Sequence, residues 1–244
     1  MDDKRLSRRA LLTAATTLPV AGAAAAVLGG AEVPWKEGHA NGPQAGPEAA
    51  GWHWFTEPEA AFVTAAAARL IPVDELGPGA VEAGVPTFID RQLAGPYGSG
   101  QQWYMQGPWA AGLPTQGYQT RLSPAGIYRA AIKAIDATVV RESRGASFAK
   151  LAAPDQDAFL HRLEKGEVAL DGVDSRSFFA QLLQNMLEGF WSDPIYGGNR
   201  DMVGWKLIGF PGARYDQSTF VSQHGAPYPL PPVGIKGRIE WIRS

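Results

Sequence analysis

The sequence predicts a mainly α protein: a small irregular helical domain with long structured loops and an extended Pro-rich C-terminal arm. Three observations lead there. Apolar residues recur at spacings of three and four over several segments, which places them on one face of a helix. Those segments open on hydroxyl, Asp or Pro positions and close on Gly, the ordinary start and stop chemistry of helices. No run of residues alternates apolar and polar in the manner of a half-buried strand, so any strands are short and near the C-terminus.

The elements follow in order. Thr56 and Glu59 have capping-box spacing with Pro58 in the first turn, and Phe62, Val63, Ala66 and Leu70 then share a face until Ile71-Pro72. Residues 72–84 read as loop. Val85-Pro86 opens a second helix with Phe88, Ile89 and Leu93 inward, stopped by Gly95-Pro96. No period holds over residues 97–122, a Gly- and Gln-rich stretch carrying Tyr97, Trp103, Tyr104, Trp109 and Tyr118. Such rings either pack on the body or meet a partner. Ser123-Pro124 starts a helix bearing Ile127, Ala131, Ile135 and Val139, with Tyr128 and Ile132 alongside. Pro154 opens a shorter one holding Phe159, Leu160 and Leu163, closed by Gly166. Asp174 or Ser175 caps the most regular helix: Phe178, Leu182, Met186 and Phe190 recur every four residues, with Phe179, Leu183 and Leu187 one position on. So wide an apolar face is expected at the centre of the core.

Four segments result: an export signal over 1–31, a linker over 32–52, a helical domain over 53–212 and an extended arm over 213–244. The basic start with Arg8-Arg9 inside Ser-Arg-Arg-Ala-Leu-Leu matches a twin-arginine signal, and the Ala-rich run of residues 10–30 is too weakly apolar for an ordinary span. A permanent N-terminal anchor is the alternative. Residues 32–51 are rich in Pro, Gly and Ala and read as a flexible tether.

Composition narrows the chemistry. A net charge of -2 over 244 residues offers no footprint for a phosphate backbone, so nucleic acid is not an expected partner. Zero cysteines exclude disulfides, thiolate metal sites and covalently attached haem on this chain. His39, His53, His161 and His224 show no ligand spacing, and no phosphate-cradling loop or nucleophile elbow occurs. Catalytic, cofactor-binding and metal residues are therefore expected to be none.

Residues 188–212 stand out. Asp193-Pro194 begins a turn, Gly197-Gly198 permits left-handed backbone, and Asn199 is expected to cap a helix over 200–208 that buries Val203 and Leu207. The segment is either a tight corner filled by Trp191, Tyr196 and Trp205, or that corner together with a binding surface. The Pro-Tyr-Pro-Leu-Pro-Pro run of 227–232 favours extended backbone that wraps its own domain or lies along a partner.

Three blocks resemble the small subunit of membrane-bound gluconate 2-dehydrogenase, the gluconate 2-dehydrogenase subunit 3 family. The first is the 62–72 helix with Gly84-Val-Pro-Thr-Phe-Ile-Asp-Arg-Gln-Leu93; the second is Trp103-Tyr-Met-Gln-Gly-Pro108 with Gly117-Tyr-Gln119 and Tyr128-Arg129. The third and most specific runs from Phe178-Phe179 through Glu188-Gly189, Asp193-Pro194, Tyr196-Gly-Gly-Asn199 and Gly204-Trp205 to Gly209-Phe-Pro-Gly212, with Trp191 where Phe is expected. The resemblance implies a non-catalytic subunit. Its partner would be a FAD-dependent dehydrogenase of the GMC type that oxidises gluconate or a related sugar or sugar acid, with FAD on that large subunit and haem c on a possible cytochrome c subunit. It further implies help in maturation, passage through the Tat translocase, and a place in the periplasm or on the periplasmic face of the inner membrane. Partner contacts are expected from Trp103, Tyr104, Trp109, Asp193, Tyr196, Gly197, Gly198, Asn199, Arg200, Trp205, Pro229 and Pro231. The alternatives are a stand-alone exported enzyme using Asp90, Arg91, Asp193, Asn199 and Arg200, and a periplasmic binding protein without a dehydrogenase partner.

Overall fold

The computed structural model describes residues 51–110, 112–113, 120–214 and 216–235. Arg8, Arg9, nearly all of the linker, Tyr118 and the basic tail lie outside the described residues. The elements are α1 (Glu57–Leu70), α2 (Val85–Ala94), the single turn α3 (Pro96–Ser99), α4 (Pro124–Glu142), α5 (Ala153–Lys165), α6 (Ser175–Trp191) and α7 (Val203–Ile208), with short 3₁₀ turns between them. Among the described residues there is no strand, only isolated bridges such as the parallel one between Gly212 and Val233. No described helix is long and apolar enough to cross a membrane.

Local chemistry sets the helix ends where the sequence places them. The Glu59 carboxylate accepts from Thr56 N and Thr56 Oγ1, each at 2.8 Å. Ser123 Oγ accepts from Gly126 N, and Asp174, not Ser175, caps α6 by accepting from Ser177 N at 2.8 Å. Gly166 ends α5 in a left-handed conformation that a side chain would disfavour.

α6 is the centre. α1, α2, α4, α5 and α7 all pack on it, and Phe178, Leu182, Met186 and Phe190 are buried, as the four-residue repeat requires. Rings fill the α1 side: Phe62 lies 5.0 Å from Phe148 and 6.4 Å from Phe178, and Tyr128 meets Phe178 edge-on at 5.5 Å. A bidentate Arg69–Asp157 pair, 2.7 Å in both contacts, ties α1 to α5 at the rim.

Two buried polar groups fix how these helices meet. Asn185, on the inner side of α6, accepts through Oδ1 from Tyr128 Oη at 2.9 Å and Tyr97 Oη at 3.1 Å. Its Nδ2 donates to Glu188 at 3.0 Å, and Gln181 donates to Tyr97 Oη. Asp90 of α2, 1% exposed, accepts from three successive backbone amides: His53 N at 2.7 Å, Trp54 N at 2.9 Å and Phe55 N at 2.9 Å. Arg129 of α4 closes the same strap, stacking 4.0 Å from the Trp54 ring and donating to Glu59 at 2.8 Å. Trp52 packs half-buried on the core just upstream, edge-on to Phe55.

Two outcomes follow for stability. Asp90→Ala strands three amides, so unfolding free energy should fall by about 3 kcal/mol; an unchanged denaturant midpoint would remove Asp90 as the staple. Burial pushes the Tyr128 hydroxyl well above its ordinary value and that of Tyr97 upward, with the neighbouring hydroxyl and Glu188 adding at Tyr128. The unfolded tyrosines lose their protons near pH 10 while the folded ones keep theirs, so the unfolded state binds fewer protons there. Stability is therefore complete below about pH 10 and falls as pH rises above it. Tyr128→Phe should start lower at pH 8 and lose less above pH 10; parallel curves of midpoint against pH would contradict this.

Candidate functional site

The 188–212 corner forms at the C-terminal end of α6. Ser192 leaves the helix in extended backbone, and Asp193 caps the following 3₁₀ turn by accepting from Ile195 N at 3.0 Å. Gly198 then passes so close to the Gly189 carbonyl that a Cβ there would overlap it. Gly197 has φ +97°, and a Cβ on it would lie 2.6 Å from the Arg91 guanidinium. The paired glycines thus serve both backbone conformation and close approach.

Asn199 locks the turn. It is 0% exposed and left-handed, donates through Nδ2 to Ser192 O at 2.8 Å, and accepts from Gly204 N at 2.8 Å. Asn199 therefore does not take the expected N-cap position of the α-helix, which falls at Met202; its side chain instead reaches forward to the first-turn amide of Gly204. Asp201 and Met202 are also left-handed, so the α-helix begins only at Val203, and a 3₁₀ turn occupies 200–202. The helix buries Gly204 and Trp205 while Val203 and Leu207 stay half-buried, correcting the expected inward face. The reason is Trp205: its Nε1 donates to Trp191 O at 2.7 Å, and that bond sets the rotation of the short helix.

The chain returns to this corner from the C-terminal arm. Val233 is buried beside Gly212, with Ala213 N donating to Val233 O at 2.7 Å. Ile235 N donates to the second oxygen of Asp193 at 2.6 Å. Pro231 lies half-buried and its carbonyl accepts from Arg214 Nη2, while Pro229 is exposed. Between these anchors Phe220 packs against Tyr228 at 4.7 Å, while residues 221–227 are exposed.

Tyr97 holds the base of the aromatic loop. Its hydroxyl is fixed by Asn185 and Gln181, and its ring meets Trp103 edge-on at 6.1 Å. Trp103 N donates to Gly100 O, setting the departure of the chain. Beyond it Trp103 is 38% exposed and Tyr104 81% exposed, while Trp109 is half-buried with its ring folded toward Gly107.

The expected contact residues therefore divide. Asp193, Gly198, Asn199 and Trp205 are buried and committed to the corner, with Gly197 half-buried against Arg91. Trp103, Tyr104, Tyr196 (50% exposed), Arg200 and Pro229 face solvent. Of the five groups an enzyme site would draw on, Asp90, Asp193 and Asn199 spend their side-chain acceptors inside the chain. Among the described residues no group of three or more His, Asp or Glu is placed to hold a metal. His161 sits at the surface of α5, 3.2 Å from Glu164. Sequence reasoning missed the roles of Asn185 and Asp90; the available signal was a polar residue within an otherwise apolar helical face in each case.

Asn199→Ala leaves Ser192 O and Gly204 N without their partner and should cost about 2 kcal/mol. Gly198→Ala should be worse, because the backbone of α6 cannot yield. Thermal melts of both variants test this, and wild-type melting of Gly198→Ala would show the approach to be compliant.

No curated protein and no solved structure matches the chain. A family model described as gluconate 2-dehydrogenase subunit 3 matches residues 57–212, from the first residue of α1 to the glycine beside Val233. With the helical body, the Asn199 corner and the Trp205 turn all inside that match, the chain belongs to the gluconate 2-dehydrogenase subunit 3 family, small subunits of dehydrogenase complexes.

Proposed function

We propose that the chain is the non-catalytic binding and escort subunit of a FAD-dependent dehydrogenase of the GMC type, acting on gluconate or a related sugar or sugar acid. It binds the flavoprotein large subunit, assists its maturation and carries it through the Tat translocase on the Arg8-Arg9 signal to the periplasmic side of the inner membrane. FAD resides on the large subunit, and haem c on a cytochrome c subunit where one is present; this chain carries no cysteine to attach it.

The observation that carries the proposal is the family match over residues 57–212. The side chains support it in their division of work. Buried polar groups at the corner and under α6 are occupied by fold contacts, while aromatic groups at Trp103, Tyr104 and Tyr196 remain at the surface with Arg200 beside the corner. Tyr, Trp and Arg are the side chains that contribute most where proteins meet.

Affinity purification of the C-terminally tagged full chain from periplasm and membranes tests it. A yellow eluate containing a large flavoprotein near equal stoichiometry is expected; a colourless single component would overturn the escort role. Trp109→Ala combined with truncation after Gly225 should weaken the complex, and Tyr196→Ala should weaken it without lowering the melting temperature. Unchanged co-purification of these variants would remove the assigned contacts.

A further inference from the structure

The surface of the aromatic loop has an unusual chemistry. Between Arg91 and Arg121 the chain contains no Asp, Glu, Lys, Arg or His, in a protein whose charged residues make up 19% overall. Its exposed side chains include Gln101, Gln102, Trp103, Tyr104, Gln106 and Leu113. Leu113 and Tyr104 are among the most exposed large apolar side chains of the described residues. A loop facing only water gains solubility from charge, and a sticky charge-free face signals an occupant.

We propose, resting on the escort role above, that residues 101–110 together with Leu113 dock on a charge-free, apolar patch of the flavoprotein subunit, bordered by amide or hydroxyl groups that pair with the glutamines. The occupant's chemistry follows from the loop's. A charge on the partner facing this surface would be desolvated with no counter-charge available anywhere in the loop, which is strongly unfavourable. Rings and a leucine need apolar surface opposite them, and three glutamine amides need partners at the edge. The platform is set in advance: Tyr97 is bonded to α6 on one side and stacked edge-on with Trp103 on the other, so less ordering is required on binding.

The test uses the full chain co-produced with its flavoprotein and measures dissociation rate. Tyr104→Glu places one carboxylate on the face and should speed dissociation by about a hundredfold or more. Tyr104→Phe should stay close to wild type, and Val140→Glu, an equally charged change at an exposed position on α4, should have no effect. The wild-type dissociation rate should change little between about 0.1 and 1 M salt, since no ion pair is screened across the face. Tyr104 is exposed, so equal melting temperatures will show that Tyr104→Glu is folded. Wild-type dissociation by Tyr104→Glu, or a dissociation rate rising steeply with salt, would overturn the proposal. Self-association of the chain alone that Tyr104→Glu abolishes would also overturn it, by making a second copy the occupant. Failure of the wild-type chain to hold any flavoprotein would instead overturn the escort role itself.

Discussion

One amide oxygen holds two tyrosine hydroxyls at the heart of this molecule. Asn185 Oδ1 accepts from Tyr97 and Tyr128, which come from the single turn α3 and from α4. Apolar packing alone would let helices around α6 slide and rotate at modest cost, since many arrangements bury similar area. A buried amide has directions, and leaving either hydroxyl unpaired in that setting is expensive. The register of α4 on α6 and the departure of the aromatic loop are thus set by one group.

The N-terminal strap and the C-terminal return use the same device. Asp90 gathers the amides of 53–55, and Asp193 takes Ile195 N and Ile235 N. In both places a buried carboxylate captures at least one backbone amide of a segment with no regular structure of its own, residues 53–55 for Asp90 and Ile235 for Asp193. The body fixes where each terminal region leaves it. The segments anchored in this way, residues 53–55 and 233–235, are irregular in conformation yet tied to the helical body by hydrogen bonds.

The division between buried and exposed residues also separates two meanings of a motif. Gly198, Asn199, Gly204 and Trp205 lie within the matched residues 57–212, and their side chains or bare Cα atoms face inward. They specify the corner's shape, and the groups able to meet a partner, Tyr196 and Arg200, are carried on it. A motif dense in glycine and aromatic residues therefore marks geometry first and contact second.

Sequence alone determined the five long helices, α1, α2, α4, α5 and α6, and which faces they bury. Thr56 with Glu59, Ser123 with Pro124, and Asp174 carry their capping chemistry within a few residues, and the four-residue repeat of α6 needs no knowledge of its neighbours. The corner was legible as a turn because Asp-Pro and Gly-Gly act locally. Tertiary structure decided the rest. Asn199 reaches the amide of Gly204, five residues on, because the backbone between them turns left-handed at Asp201 and Met202, beside the Gly198 approach to α6 and the Trp205 bond to Trp191 O. Asp90, Asn185 and Asp193 acquired their roles from partners 35 to 88 residues away. A hydrogen bond between distant segments leaves no periodic trace in either one, so only the folded chain shows which donor a buried acceptor receives.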